Sequence, residues 1–361
     1  MSADKRPTSE ILADDKSLSA ILQVGVDPAV DLDPHSPDGP SDGDSYYIVS
    51  YLQGNGHKFT VLFHLIVLNK PSPPGPFALL GMSVLDEAAN PPFFSKEVPD
   101  IGKSKTTVPR GPLDIRMVAD DKVTTLGHLS GTMDQLTVEG HATDSSGNST
   151  LDIELKMTAI GPTFNYLGSG VIPFPGGKDY EYAFPCMTTT GTLTVRGTQY
   201  NVTGTSWLDR EWGHLGPAKW TWMSIQLDNG VQLGLWDEQP YDKSDTHVGG
   251  RAFATILEPD GSVTVATVTI EETSPLTSSV SKHKYANSWT VTIPALSGNA
   301  ALPAKAVLNV KTVVNGQEIN SNSPIPRLEA KCSVEGKYGG TDVTGVYAFV
   351  EVGDIPMLPP S

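Results

Sequence analysis

The stretch Gly204-Thr205-Ser206-Trp207-Leu208-Asp209-Arg210-Glu211-Trp212-Gly213-His214 sets two carboxylates at i and i+2 among indole rings, and Trp220, Trp222 and Trp236 follow closely. Five of the six tryptophans lie between Trp207 and Trp236 in a chain otherwise poor in aromatics. A β-strand alternates its side chains, so a strand here puts Trp207, Asp209 and Glu211 on one face and Ser206, Leu208, Arg210 and Trp212 on the other. Indole rings desolvate a carboxylate and a second carboxylate repels it. Both effects raise a carboxyl pKa and keep a Brønsted acid protonated near neutral pH. Asp209 and Glu211 are therefore the candidate proton donors, with Trp207 beside them. The same residue types also suit a solvated acidic edge backed by core tryptophans, or an ion-pair network in which Arg210, Lys219 or Arg251 holds both acids.

Further candidates lie on runs that read as strands. Lys219 to Leu227 and Val231 to Asp237 flank Asp228-Asn229-Gly230, a strong hairpin signal. Trp220 and Trp222 share a face of the first strand, and Trp236 shares one with Glu238 on the second. Cross-strand indoles of this kind form the wall of a pocket or a core layer. Earlier, Tyr46 to Leu52 and Lys58 to Asn69 flank the Gly-containing turn Gln53 to His57. Tyr51 lies in the first run. In the second, Leu62, His64 and Ile66 share one face, where His64 is either a satisfied core group or part of a lining. His214 reads as a loop residue.

The motifs for phosphate, dinucleotide and zinc-protease chemistry are absent, as is the Gly-x-Ser-x-Gly elbow, so neither an organic cofactor nor a metal is expected. What remains is proton transfer on, or binding of, a small hydrophobic molecule. The formal charge of -16 opposes nucleic acid and anionic membrane surfaces as partners. No apolar run approaches the roughly 20 residues of a membrane helix. Residues 1–16 carry no apolar signal segment, and Cys186 and Cys332 stand far apart without metal spacing. A cytoplasmic, reducing location without a disulfide is the expectation.

Residues 1–42 are rich in charge and proline, with no helical stripe longer than Ile11 to Leu22, and read as a partly ordered arm. From Asp44 onward short β-like runs recur at roughly ten-residue spacing, broken by Pro71 to Pro76 and by a Gly249-Gly250 loop, which predicts an all-β protein of antiparallel sandwiches or barrels. Two consecutive domains, 43–185 and 186–361, or one large pseudo-duplicated barrel, fit this spacing, with a ligand pocket expected at or near the interface of two such domains.

The run Tyr180 to Gly213, with Gly191-Thr192-Leu193-Thr194-Val195, Tyr200-Asn201-Val202-Thr203-Gly204 and Trp207-Leu208-Asp209-Arg210-Glu211-Trp212-Gly213, resembles the AttH / carotenoid 1,2-hydratase (hydroxyneurosporene synthase) family. Weaker agreement extends to Asp44-Ser45-Tyr46-Tyr47, Tyr285 to Pro294 and Gly345 to Gly353. The resemblance implies two lipocalin-like β-barrel domains. It also implies chemistry without organic cofactors: hydration of isoprenoid double bonds, phytoalexin hydration, or the cyclisations and epoxide rearrangements of fungal relatives. On the hydratase pattern the Asp209 position is the proton donor, and Trp207, Tyr182 and Phe184 shape a cation-tolerant pocket.

The chain departs from that pattern by carrying Trp207 where the hydratases tend to have Tyr and by lacking their His near position 182. Water activation is weakened thereby. The expectation is an acid-promoted isomerisation or cyclisation of a prenylated or polyene intermediate, in which Trp207, Trp220, Trp222 and Trp236 stabilise developing positive charge and exclude water. Hydration by the same acid, and a non-catalytic carrier, are the competing readings.

Overall fold

A computed structural model of the protein describes residues 26–35, 41, 43–68, 77–101, 106–109, 111–143, 150–174, 177–213, 218–240, 252–279, 281–296, 299, 302–319 and 327–354. The Ile11 to Leu22 stripe, the proline-rich break at 71–76, His214, the Gly249-Gly250 loop and Arg251 lie outside these residues.

The described chain is nearly all strand. One short helix, α1 (Pro28–Asp31), precedes β1 (Gly43–Gly54), β2 (His57–Leu68), β3 (Phe77–Asp86), β4 (Phe93–Ile101), β5 (Thr106–Thr107), β6 (Asp114–Val118), β7 (Thr125–Thr132), β8 (Gln135–Thr143) and β9 (Thr150–Ala159). Then follow β10 (Phe164–Asn165), a helical turn at Tyr166–Gly168, β11 (Val171–Phe174), β12 (Gly177–Val195) and β13 (Thr198–Gly213). The remainder is β14 (Ala218–Leu227), β15 (Gln232–Pro240), β16 (Phe253–Leu257), β17 (Val263–Thr267), β18 (Thr269–Thr277), β19 (Lys284–Ile293), β20 (Ala306–Thr312), β21 (Glu318–Ile319), β22 (Arg327–Tyr338) and β23 (Thr341–Asp354). Among the described residues no helix is long and apolar enough to cross a membrane.

The chain divides into two compact units, one carried by most of the strands up to Gly213 and the other by those from Ala218 onward together with Phe164–Gly168 and Ile172–Lys178. Each is a large, curled antiparallel sheet. The first runs in the order β4-β3-β2-β1-β13-β12-β9-β8-β7-β6-β5, the second β17-β16-β15-β14-β23-β22-β20-β19-β18. Position 185, where the spacing suggested a domain boundary, lies inside β12. The register there shifts between Phe184 and Met187. Pro185 has no N–H for the ladder, so the strand bulges rather than ends, and its alternation inverts on the far side. Tyr182 and Phe184 point into the core before the bulge, Met187 and Leu193 after it.

The β1–β2 hairpin closes on Asn55 and Gly56, whose φ values of 49° and 82° are the left-handed pair that a tight hairpin turn demands. At Asp228-Asn229-Gly230 the Leu227 amide donates to the Val231 carbonyl at 2.9 Å, and the Asn229 side chain accepts from the Val231 amide at 3.1 Å. In the first unit Tyr46, Ile48, Phe63, Leu65, Leu208 and Trp212 turn inward to an apolar cluster. In the second, Met223, Ile225, Leu233 and Leu235 do so.

The inward face of β13 also carries Arg210, fully buried. Its Nε donates to the Asp31 carbonyl at 3.1 Å, Nη1 to the Glu211 carbonyl at 2.6 Å, and Nη2 to the Asp33 carbonyl at 3.2 Å and to Asp44 Oδ1 at 2.5 Å. The guanidinium lies 4.3 Å from the Tyr46 ring centroid and 5.0 Å from that of Trp212. His35 stacks on Trp212 and holds Asp44 Oδ1 at 2.5 Å through Nδ1. Burial alone would raise the Asp44 carboxyl, but Arg210 and His35 outweigh it and hold it well below the ordinary carboxylate range. Arg210 thereby fastens the segment of α1 to the first sheet.

Candidate active site

Strand pairing assembles the site on the other face of the same strands. Tyr47 of β1 stands directly opposite Asp209 of β13 on one side and His64 of β2 on the other. Ser45 likewise stands opposite Glu211, and Val49 opposite Trp207. Partners in register share a face, so Trp207, Asp209, Glu211, Ser45, Tyr47 and His64 form one patch. The period-two division of residues 206–212 is observed as the sequence implies. Tyr51 lies farther along the same face, opposite Thr205.

The centre of the patch is closed to solvent, with Trp207 0% exposed, Asp209 3%, Tyr47 5% and His64 5%, while Glu211 at its end is half-buried. Trp207 Nε1 donates to Asp209 Oδ1 at 2.9 Å, which fixes the carboxyl against the indole. His64 Nε2 lies 3.0 Å from Ser45 Oγ, and the Tyr47 ring meets the imidazole edge-on at 4.7 Å between centroids. Asp209 and His64 are two strand spacings apart, about 9.5 Å, with Tyr47 between them.

β12 adds two acids that the sequence reading passed over. Glu181 stands directly opposite Glu211, and Asp179, two residues along, lies on the same face. Both are buried, at 1% and 0% exposure. Burial raises the Glu211 carboxyl above its ordinary value, while a hydrogen bond with Asp179 and the Arg210 charge pull the other way. The signal was present in the sequence: Asp179 and Glu181 repeat the i, i+2 spacing of Asp209 and Glu211 on the strand that forms a hairpin with theirs.

Two of the other candidates lie on the opposite face of the first sheet. Tyr182 pairs in register with Arg210 and Phe184 with Leu208, so both face the apolar core, opposite to the acids. Their own sequence was too short before the bulge to reveal which face they take. Burial pushes the Tyr182 phenol well above its ordinary value. Trp220, Trp222 and Trp236 belong to the second unit. There Trp222 stands opposite Trp236, and its Nε1 donates to the Tyr166 hydroxyl at 3.0 Å. Trp220 packs on the backbone of Gly353, its partner in register. Arg210 directs its donors to Asp44, His35 and backbone carbonyls, and Lys219 pairs with Asp354 at 3.5 Å.

Residues 103–351, more than half of the chain, match the family model described as AttH-like. The chain belongs to the AttH-like family. The dehydratase asqC of Emericella nidulans is 28% identical over 217 residues, which are 58% of this chain. The match spans 59% of that relative's length. Among solved structures, the kievitone hydratase of Nectria haematococca superposes with a TM-score of 0.68 at 19% identity, covering 92% of this chain and 94% of that one. An AttH-type protein of Nitrosomonas europaea gives 0.67 at 17% identity, covering 87% and 93%. At these identities the two structures establish the AttH-like fold.

Proposed function

We propose that this AttH-like protein is a hydro-lyase that removes water from, or adds it to, a hydrophobic prenylated or polyene metabolite. The observation that carries the reading is the placement of an acid, Asp209, and a base, His64, on one buried face with an aromatic ring between them. The lack of a histidine near 182, which favoured isomerisation or cyclisation, is offset by His64 reaching the face from two strands away. Names among its relatives, a dehydratase and a hydratase, agree with this reading.

In the dehydration direction Asp209 protonates the leaving hydroxyl, and the C–O bond breaks to release water. Trp207 and Tyr47 offer π faces to the cationic carbon, worth about 0.5 to 2 kcal/mol per well-placed ring. His64 takes the proton from the adjacent carbon and the C=C bond forms. Hydration is the reverse path. Positioned general acid and base groups supply rate factors of roughly 10² to 10⁴ each.

The test is mass-resolved product analysis with linalool and myrcene, a simple tertiary prenyl alcohol and its dehydration product, alongside prenylated arenes. The wild-type protein is expected to change substrate mass by one water, and Asp209→Asn to lose that activity while staying folded. Isobaric products lost in Asp209→Asn would replace this reading with acid-promoted isomerisation or cyclisation. Substrate recovered unchanged across the set would leave a carrier.

A further inference from the structure

In the dehydration drawn above His64 gains a proton as the C=C bond forms and gives it up before the next cycle, so a group that holds its imidazole has to serve both states of the ring. Ser45 is placed to do so. Its Oγ lies 3.0 Å from His64 Nε2. On β1, Tyr47 stands directly opposite His64 and Ser45 opposite Ile66, so the imidazole leans along the strand to reach the hydroxyl. The same imidazole meets the Tyr47 ring edge-on at 4.7 Å between centroids. The ring is thus held at one nitrogen and against one aryl group. Ser45 is 6% exposed and His64 5%, so bulk water has little access to the contact.

Resting on the hydro-lyase reading, we infer that Ser45 is a positioning residue, which fixes the His64 imidazole against Tyr47 and accepts from Nε2–H once the ring has taken the substrate proton. In the imidazolium both ring nitrogens donate, so a hydroxyl oxygen at 3.0 Å can only accept. In the neutral ring Nε2 either carries the hydrogen or accepts one, and the hydroxyl rotates to suit. A carboxylate at this position would favour the charged ring throughout and hold the proton. An apolar side chain would take the serine oxygen from a buried N–H of the imidazolium and so oppose proton uptake. No proton passes through Ser45. The C–H electron pair becomes the C=C bond, the proton goes to the imidazole, and the serine hydroxyl keeps its own.

The experiment compares steady-state kinetics on linalool for the wild type, Ser45→Ala, Ser45→Thr and His64→Gln, with melting temperatures. Ring-nitrogen resonances of the eight histidines are recorded in the substrate-free proteins, His64 being assigned by its loss in His64→Gln. Ser45→Ala is expected to lose about tenfold in kcat with KM unchanged, as for one hydrogen bond to a charged group made on proton transfer. Ser45→Thr keeps the hydroxyl and is expected to stand well above Ser45→Ala. The His64 Nε2 resonance is expected to move in Ser45→Ala and to return toward its wild-type position in Ser45→Thr. A kcat for Ser45→Ala within about twofold of wild type, or a loss confined to KM, would overturn the assignment. So would a Ser45→Thr no faster than Ser45→Ala at equal melting temperature, or an unmoved Nε2 resonance. If His64→Gln dehydrates linalool as fast as wild type, the hydro-lyase reading falls instead. Where linalool is not turned over, the resonance alone decides the contact.

Discussion

Replacing Arg210 by Met tests whether the first sheet is held as described. The side chain is fully buried, and the substitution takes the guanidinium from the buried Asp44 carboxylate, which His35 still holds. Removing one member of a buried ion pair costs about 3 to 5 kcal/mol, because the charge left behind is no longer compensated. Three carbonyls, of Asp31, Asp33 and Glu211, lose their guanidinium donor as well. Set against a typical total of about 5 to 15 kcal/mol, such a loss leaves a marginal fold. The assay is urea denaturation, with the free-energy change taken from midpoint and slope. The pH dependence has a definite sign. Asp44 has a depressed folded pKa, so the pair's contribution is present above the unfolded carboxylate pKa of about 4 and is lost as pH falls toward the folded value. The deficit of Arg210→Met must therefore be largest near neutral pH and shrink in acid. Asp44→Leu combined with Arg210→Met is expected to lose less than the sum of the two singles. A neutral-pH loss below about 1 kcal/mol, the range of an exposed salt bridge, would refute the structural role assigned to this network.

Three other outcomes follow from the same geometry. Glu211 has a raised folded pKa, so its ionisation costs stability as pH rises through that value. Glu211→Gln should therefore gain melting temperature relative to wild type on going from mildly acid to alkaline buffer, as scanning calorimetry would show. Trp207→Phe removes the donor to Asp209 Oδ1, and product formation should fall roughly 10- to 100-fold, the equivalent of about 1.5 to 3 kcal/mol for a hydrogen bond to a charged group. Gly353→Ala would place its Cβ 2.0 Å from Trp220 Cζ2, so the indole must move. A cost of about 1 to 3 kcal/mol and a changed tryptophan fluorescence spectrum are expected.

Local features were legible in the sequence because they depend on near neighbours. The alternation of Trp207, Asp209 and Glu211 against Leu208, Arg210 and Trp212 follows from strand geometry alone, and the hairpins at Asn55-Gly56 and Asp228-Asn229-Gly230 follow from turn chemistry. What alternation does not provide is which distant strands meet. Asp44 and Arg210 are 166 residues apart, and their pairing turned the expected partner of the acids into a structural cation on the other face. Ser45 and Tyr47 became site residues only through the β1–β13 pairing. The Pro185 bulge hid the orientation of Tyr182 and Phe184, because one irregular step inverts every side chain beyond it.

Water chemistry at Asp209 leaves an isotopic trace. Its most direct measurement is heavy-oxygen exchange: linalool incubated with the protein in water labelled with heavy oxygen, the alcohol then analysed by mass. Reversible dehydration predicts label in the recovered alcohol with wild-type protein and none above background with Asp209→Asn. Alcohol that stays unlabelled with wild type while an isobaric product accumulates would contradict the account.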